Sequence, residues 1–176
     1  MNGERPPLRL SPITPLAAIS ILASWACSPA DQAKPPNWRQ VPVAIELRLA
    51  HGSPGPGLVA AAVYGQDRTV YIQSEPQLSN RDIARVEAVK TRIGKGLILE
   101  IWHTKAGARR IAELTRQHIG DSLAVLINSV VLAVPMIRET LNPGTQRSNA
   151  IGIPLEPEEA NQLAVAVSKT WPAARR

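Results

Sequence analysis

The chain has no phenylalanine, and Trp and Tyr together supply only 3% of its 176 residues. A buried core must therefore come from Val, Ile, Leu and Ala. The scarcity also argues against single-stranded nucleic acid as a ligand, because bases need aromatic platforms to stack on. Twenty Lys and Arg against fourteen Asp and Glu leave a formal charge of +6. The two signs are interleaved over most of the chain, so no basic stripe is set aside for phosphates, and no nucleic-acid partner is expected. A single cysteine excludes an internal disulfide framework and any multi-cysteine metal site. No apolar run is long enough to cross roughly 30 Å of hydrocarbon as a helix. Apolar residues still make up 44% of the chain, enough for one folded domain.

The N-terminus is where the lone cysteine acquires meaning. Residues 1–12 (MNGERPPLRLSP) are polar with two Arg, and residues 13–26 (ITPLAAISILASWA) form an apolar run that ends at Cys27. A short basic region, an apolar stretch and small residues before a cut describe a secretory signal. Cys27 directly after it is similar to the lipobox of bacterial lipoproteins, in which that cysteine carries the lipid. Ser24 and Ala26 would equally suit ordinary signal peptidase, and Trp25 is bulky for a lipobox. Both routes lead to export, to the periplasm or the outer face of the membrane. Residues 1–26 are accordingly read as signal peptide, 27–40 as a Pro-rich tether and 41–172 as the folded domain.

From Val43 the period changes. Val43, Ile45, Leu47 and Leu49 alternate with Ala44, Glu46 and Arg48, as in a half-buried strand. Further strands are expected near 58–64, 69–73, 84–92, 97–102, 123–127, 130–134 and 148–153. Ser79 or Asn80 should cap a turn. Thr104 opens a helix to about Ile119, with Ala108, Ile111, Ala112, Thr115 and Ile119 on its apolar face and Gly120 as its left-handed stop. A second helix starts at Pro157, with Glu158 and Glu159 near its positive end, and buries Ala160, Leu163, Ala164 and Val167. Two helices apolar on one stripe only require an α+β fold: a mostly antiparallel sheet with both helices packed on one face.

Several of these segments fall in an order seen elsewhere. Val70-Tyr71-Ile72, Glu75-Pro76, Leu78-Ser79 and Asp82-Ile83 resemble a strand followed by "EP" and "LT..DI". Ala108, Leu114-Thr115 and Ile119-Gly120 resemble "FAELT…NIGK", and Ala133-Val134-Pro135 follows a hairpin opened by Leu123-Ala124-Val125. Leu155-Glu156, Glu159-Ala160 and Leu163-Ala164 resemble "TLEEA…LA". From Val70 to Trp171 the chain thus resembles the head of the first periplasmic domain of SecD, a subunit of the bacterial protein-export machinery. Ser129 departs from the pattern, standing where that family places a hairpin glycine, and Pro157 enters the second-helix motif. The resemblance implies a binding role near exported chains rather than a motor, since intramembrane carboxylates of the proton-coupling kind are absent.

Candidate chemistry is sparse. His118, Asp121 and Ser122 are close in sequence, but triads are assembled by geometry rather than adjacency, and a helix end explains the first two. His51 and His103 share no metal-ligand spacing with His118. Glu156, Glu158 and Glu159 suit a helix start, and the Gly52–Gly57 stretch holds two prolines and no P-loop lysine. Trp102 and Trp171 read as partly buried covers. No catalytic, cofactor or metal residue is expected, and no small-molecule substrate. The expected function is a non-catalytic envelope module that contacts polypeptide or an envelope protein and is held to the membrane through Cys27. The alternatives are a structural lipoprotein without a soluble ligand and a small hydrolase.

Intact-mass analysis of the mature protein should show a species beginning at Cys27 with added acyl chains. An unmodified N-terminus beyond residue 27 would remove the anchor and leave export standing.

Overall fold

The computed structural model describes residues 37–90, 96–141 and 149–172. Cys27, the signal segment and most of the tether lie outside the described residues. The strands are β1 (Ile45–His51), β2 (Leu58–Ala62), β3 (Thr69–Gln73), β4 (Ile83–Lys90), β5 (Leu97–His103), β6 (Ser122–Ile127), β7 (Val130–Ala133) and β8 (Asn149–Ile153). The helices are α1 (Lys105–Gln117) and α2 (Pro157–Thr170). The α+β class holds, and every pairing between these strands is antiparallel. The strands divide between two sheets, β2-β3-β1-β6-β7 and β4-β5-β8. Periodicity within a strand carries no sign of that division, because long-range pairing sets it.

Register explains the burial. β1 and β6 pair from Ile45 opposite Ile127 to Ala50 opposite Ser122, and directly opposed residues share a face. One face presents Leu47, Leu49, Leu123 and Val125 to Ile111 and Leu114 of α1. The same face presents Ile45 and Ile127 to β5 and to Leu163 and Val167 of α2. Both helices therefore lie on one side of the larger sheet. The opposite face holds Ala50, Val70, Ile72, Ala124, Leu126 and Val131, covered by curling of the sheet until Val63 bridges Val131. Each large side chain removed from water in these clusters contributes about 1.5–3 kcal/mol.

A short 3₁₀ turn, Asn80–Asp82, joins the layers. Ser79 caps it, and the Ser79 amide donates to the Asp82 carboxylate (3.1 Å). Asp82 is 2% exposed and holds the Arg110 guanidinium at 2.6 Å. Its carbonyl accepts from the Thr104 amide (2.9 Å), while Thr104 Oγ1 caps α1 by accepting from the Gly107 amide (3.0 Å). A Cβ at position 107 would overlap the Asp82 carbonyl, so glycine here allows close approach of helix to turn.

Leu114, 8% exposed, faces the core beside Ile111, as the helix requires. Four details depart from the sequence reading. Ile119 is 58% exposed, because His118 has already left helical geometry. Gly120 is left-handed as expected (φ 94°), yet its amide bonds the Ile137 carbonyl rather than the helix. In α2, Ala166 is buried and Ala164 only partly so. Trp38, placed by sequence in the tether, is 4% exposed and sits in the core beside α2.

The hairpin between β6 and β7 turns at Asn128 and Ser129, with φ of 48° and 68°. Asn128 fits, because its amide and side chain bond both backbone groups of Ala44 at 2.9 Å. Ser129 carries an exposed side chain at positive φ, a position where glycine is free of the steric cost. Ser129→Gly should raise stability by about 0.5–1 kcal/mol. Denaturant midpoints of the two proteins measure it, and a lower midpoint for the glycine variant contradicts the strained turn.

Candidate functional site

The structure does not assemble the neighbouring His118, Asp121 and Ser122 into a triad. His118 Nδ1 pairs with Asp121 Oδ2 at 2.8 Å across the end of α1, whereas Ser122 opens β6 opposite Ala50 and bridges to Met136. His51 is exposed at the end of β1, and residues 52–57 form an exposed turn. Among the described residues no three His, Cys, Asp or Glu side chains gather as a metal site would require. Trp102 is partly buried with the Arg85 guanidinium 4.5 Å from its ring, and Trp171 packs at the edge of the core.

The glutamates that start α2 do not share one role. Glu158 bonds Gln162 along the helix surface (2.9 Å). Glu159 instead reaches across the molecule. Its Oε1 accepts from Trp38 Nε1 (3.2 Å) and from the Tyr64 hydroxyl, and its Oε2 accepts from the Glu156 amide (3.1 Å). Trp38 and Tyr64 meet edge to face, centroids 5.5 Å apart. Bonding to the Glu159 carboxylate, with burial, pushes the Tyr64 phenol up to about 12. The only sequence signal for this network was an isolated Trp inside a Pro-rich stretch.

His103 closes the other end of the smaller sheet. Asn149 Nδ2 lies 2.9 Å from His103 Nε2, where the amide donates to a neutral ring nitrogen. Nδ1 is buried without a partner of hydrogen-bond geometry among the described residues. Burial pushes the ring below the ordinary histidine range, and the neighbouring Asp82 carbonyl and charge oppose this only in part.

A surface cleft lies where the two sheets meet. The end of β7, the β2–β3 turn and the outer side of β8 enclose a cleft of about 330 Å³. Val134, Pro135 and Ile151 give it apolar walls over the buried Leu132, and among the described residues Arg68 is the one charged residue lining it. Such a volume sits at the small end of ligand clefts, roughly 300–1,000 Å³. It suits a few side chains of a larger partner. Nothing in the local sequence marks this location, because β7 and β8 meet only through the tertiary fold.

A family model described as SecDF, P1 head subdomain, matches residues 59–170, which include every residue lining the cleft. Protein translocase subunit SecDF of Thermus thermophilus is 29% identical over 92 residues, 52% of this chain and 12% of that protein. Protein translocase subunit SecD of Treponema pallidum is 29% identical over 107 residues, covering 60% and 17%. The chain therefore spans a small part of the length of these curated relatives. A crystal structure of SecDF in a super-membrane-facing form aligns with a TM-score of 0.52 at 20% identity, over 73% of this chain and 19% of that one. A structure described as a membrane component SecDF that enhances protein export aligns at 0.52 and 19% identity, over 76% and 69%. Both alignments concern the fold.

His103 gives a pH dependence with a definite sign. Its folded value lies below 6.5, so the unfolded chain takes up the proton first as pH falls. Its contribution is complete above that value and is lost as pH drops from there toward the folded value. Denaturant midpoints should therefore fall less between neutral pH and about pH 5.5 in His103→Gln than in the parent. Equal losses would assign the acid sensitivity to other groups.

Proposed function

The chain belongs to the SecDF P1 head subdomain family, and we propose on that basis that it is a non-catalytic envelope module that contacts polypeptides in protein translocation. The observation that carries the reading is the apolar cleft at the junction of the sheets, which lies wholly inside the family match. Its walls offer the partly exposed Val134 and Ile151 to side chains that a folded protein keeps inside and an unfolded chain exposes. The curated relatives are named as protein translocase subunits, and a structural relative is described as enhancing protein export. The match spans 12% and 17% of those subunits, so only a local contact role is carried over to this chain.

The remaining features of the reading come from the N-terminal sequence. An apolar run ending at Cys27 supports export and a lipid anchor, and the Pro-rich stretch after it supplies the stand-off. The domain would then work on the periplasmic or outer face of the membrane. Among the described residues no helix is long and apolar enough to cross one.

A permanently unfolded, fluorescently labelled polypeptide should bind the purified chain, and its folded counterpart should not. Ala150→Asp, on the exposed wall of the cleft, should weaken that binding about tenfold. Equal binding of folded and unfolded forms, or none of either, overturns the reading.

A further inference from the structure

Sheet edges expose rows of N–H and C=O groups that can bond another strand, and proteins guard them with charge, proline, bulges or covering elements. Here β2 and β7 end the larger sheet, and β4 and β8 end the smaller. β2 and β7 turn toward one another, joined at Val63 and Val131 and by donation from the Tyr64 amide to the Val131 carbonyl (2.9 Å). β4 carries a bulge between Ile83 and Arg85, an Arg85–Glu87 ion pair and the packed α2. β8 has no charge, proline or bulge, and the end of β7 approaches it only across the cleft. It runs Asn-Ala-Ile-Gly-Ile without charge or proline, and its register with β5 is unbroken from Ile153 to Asn149. Among the described residues no strand lies beyond it.

Building on the polypeptide-contact reading, we infer that β8 receives an extended segment of unfolded polypeptide as an added strand, apolar along the cleft and acidic where it meets Arg68. Backbone bonds to the β8 edge supply sequence-tolerant affinity, and alternate side chains enter the cleft beside Leu132 and Val134. Ala150 and Gly152 are exposed and small, which leaves the edge clear for a second backbone. Arg68 makes no ion pair among the described residues, so the one charge lining the cleft calls for a carboxylate.

The test uses the full chain and a short labelled peptide of alternating Val and Thr ending in Glu, read by fluorescence anisotropy. N-methylating its backbone at successive positions should weaken binding about tenfold at every second residue and little between them. Gly152→Lys, at a position where an added Cβ meets no atom within 4 Å, should abolish uptake with an unchanged melt. The peptide series leaves the protein untouched, so it decides the matter even if that variant misfolds. Peptide binding indifferent to N-methylation overturns strand addition while the broader contact reading survives. No binding of this peptide or of any unfolded polypeptide overturns both. Concentration-dependent dimerisation, lost in Gly152→Lys and without peptide uptake, assigns the edge to a second copy and also overturns the inference.

Discussion

The buried carboxylate of Asp82 is the point through which the two sheets and the first helix are fixed to one another. A charge that is 2% exposed is tolerable only if its bonds are made, and here Arg110 and the Ser79 amide make them. The same residue's carbonyl takes the Thr104 amide and leaves room only for glycine at 107. Four constraints thus converge on one turn between the larger sheet and β4. They set where α1 begins, and hence which of its residues reach Leu47 and Leu49. They also place His103 against β8, so the cleft inherits its shape from a residue that does not line it.

Local signals were legible where local physics decides. Pro157 and the acidic first turn marked the start of α2 to the residue, and the alternation from Leu123 to Ile127 marked β6. The hairpin between β6 and β7 was legible, but only the structure shows Asn128 and Ser129 both at positive φ. What was not legible depends on partners far along the chain. Trp38 gave no sign of burial, since its partners Tyr64 and Glu159 are 26 and 121 residues away. Glu159 looked like every other helix-start glutamate until the aromatic pair was placed against it. Ile119 continued an apolar stripe on paper, but the helix ended before reaching it.

The family match begins at residue 59, yet the larger sheet is organised around β1, which precedes it. β1 lies between β3 and β6, and its free start is completed by side chains rather than by a strand. Asn80 accepts from the Ile45 amide (2.8 Å) and donates to the Val43 carbonyl (2.7 Å), imitating a strand's backbone. Arg48 does similar work at the other face, bonding Glu46 and the Gln73 carbonyl (3.0 Å). The matched region therefore holds the cleft, while the central strand that supports it precedes that region in the chain.

Thr170, in the last turn of α2, accepts from the Val43 amide at 2.9 Å, and Trp38 lies against the first turn of the same helix. The chain consequently enters and leaves the folded unit along a single helix. Entry at Trp38 and exit after Thr170 lie at opposite ends of that helix, 14 residues and roughly 20 Å apart. Tension applied between those ends would load the contacts along the helix first and reach the sheets only after they had parted.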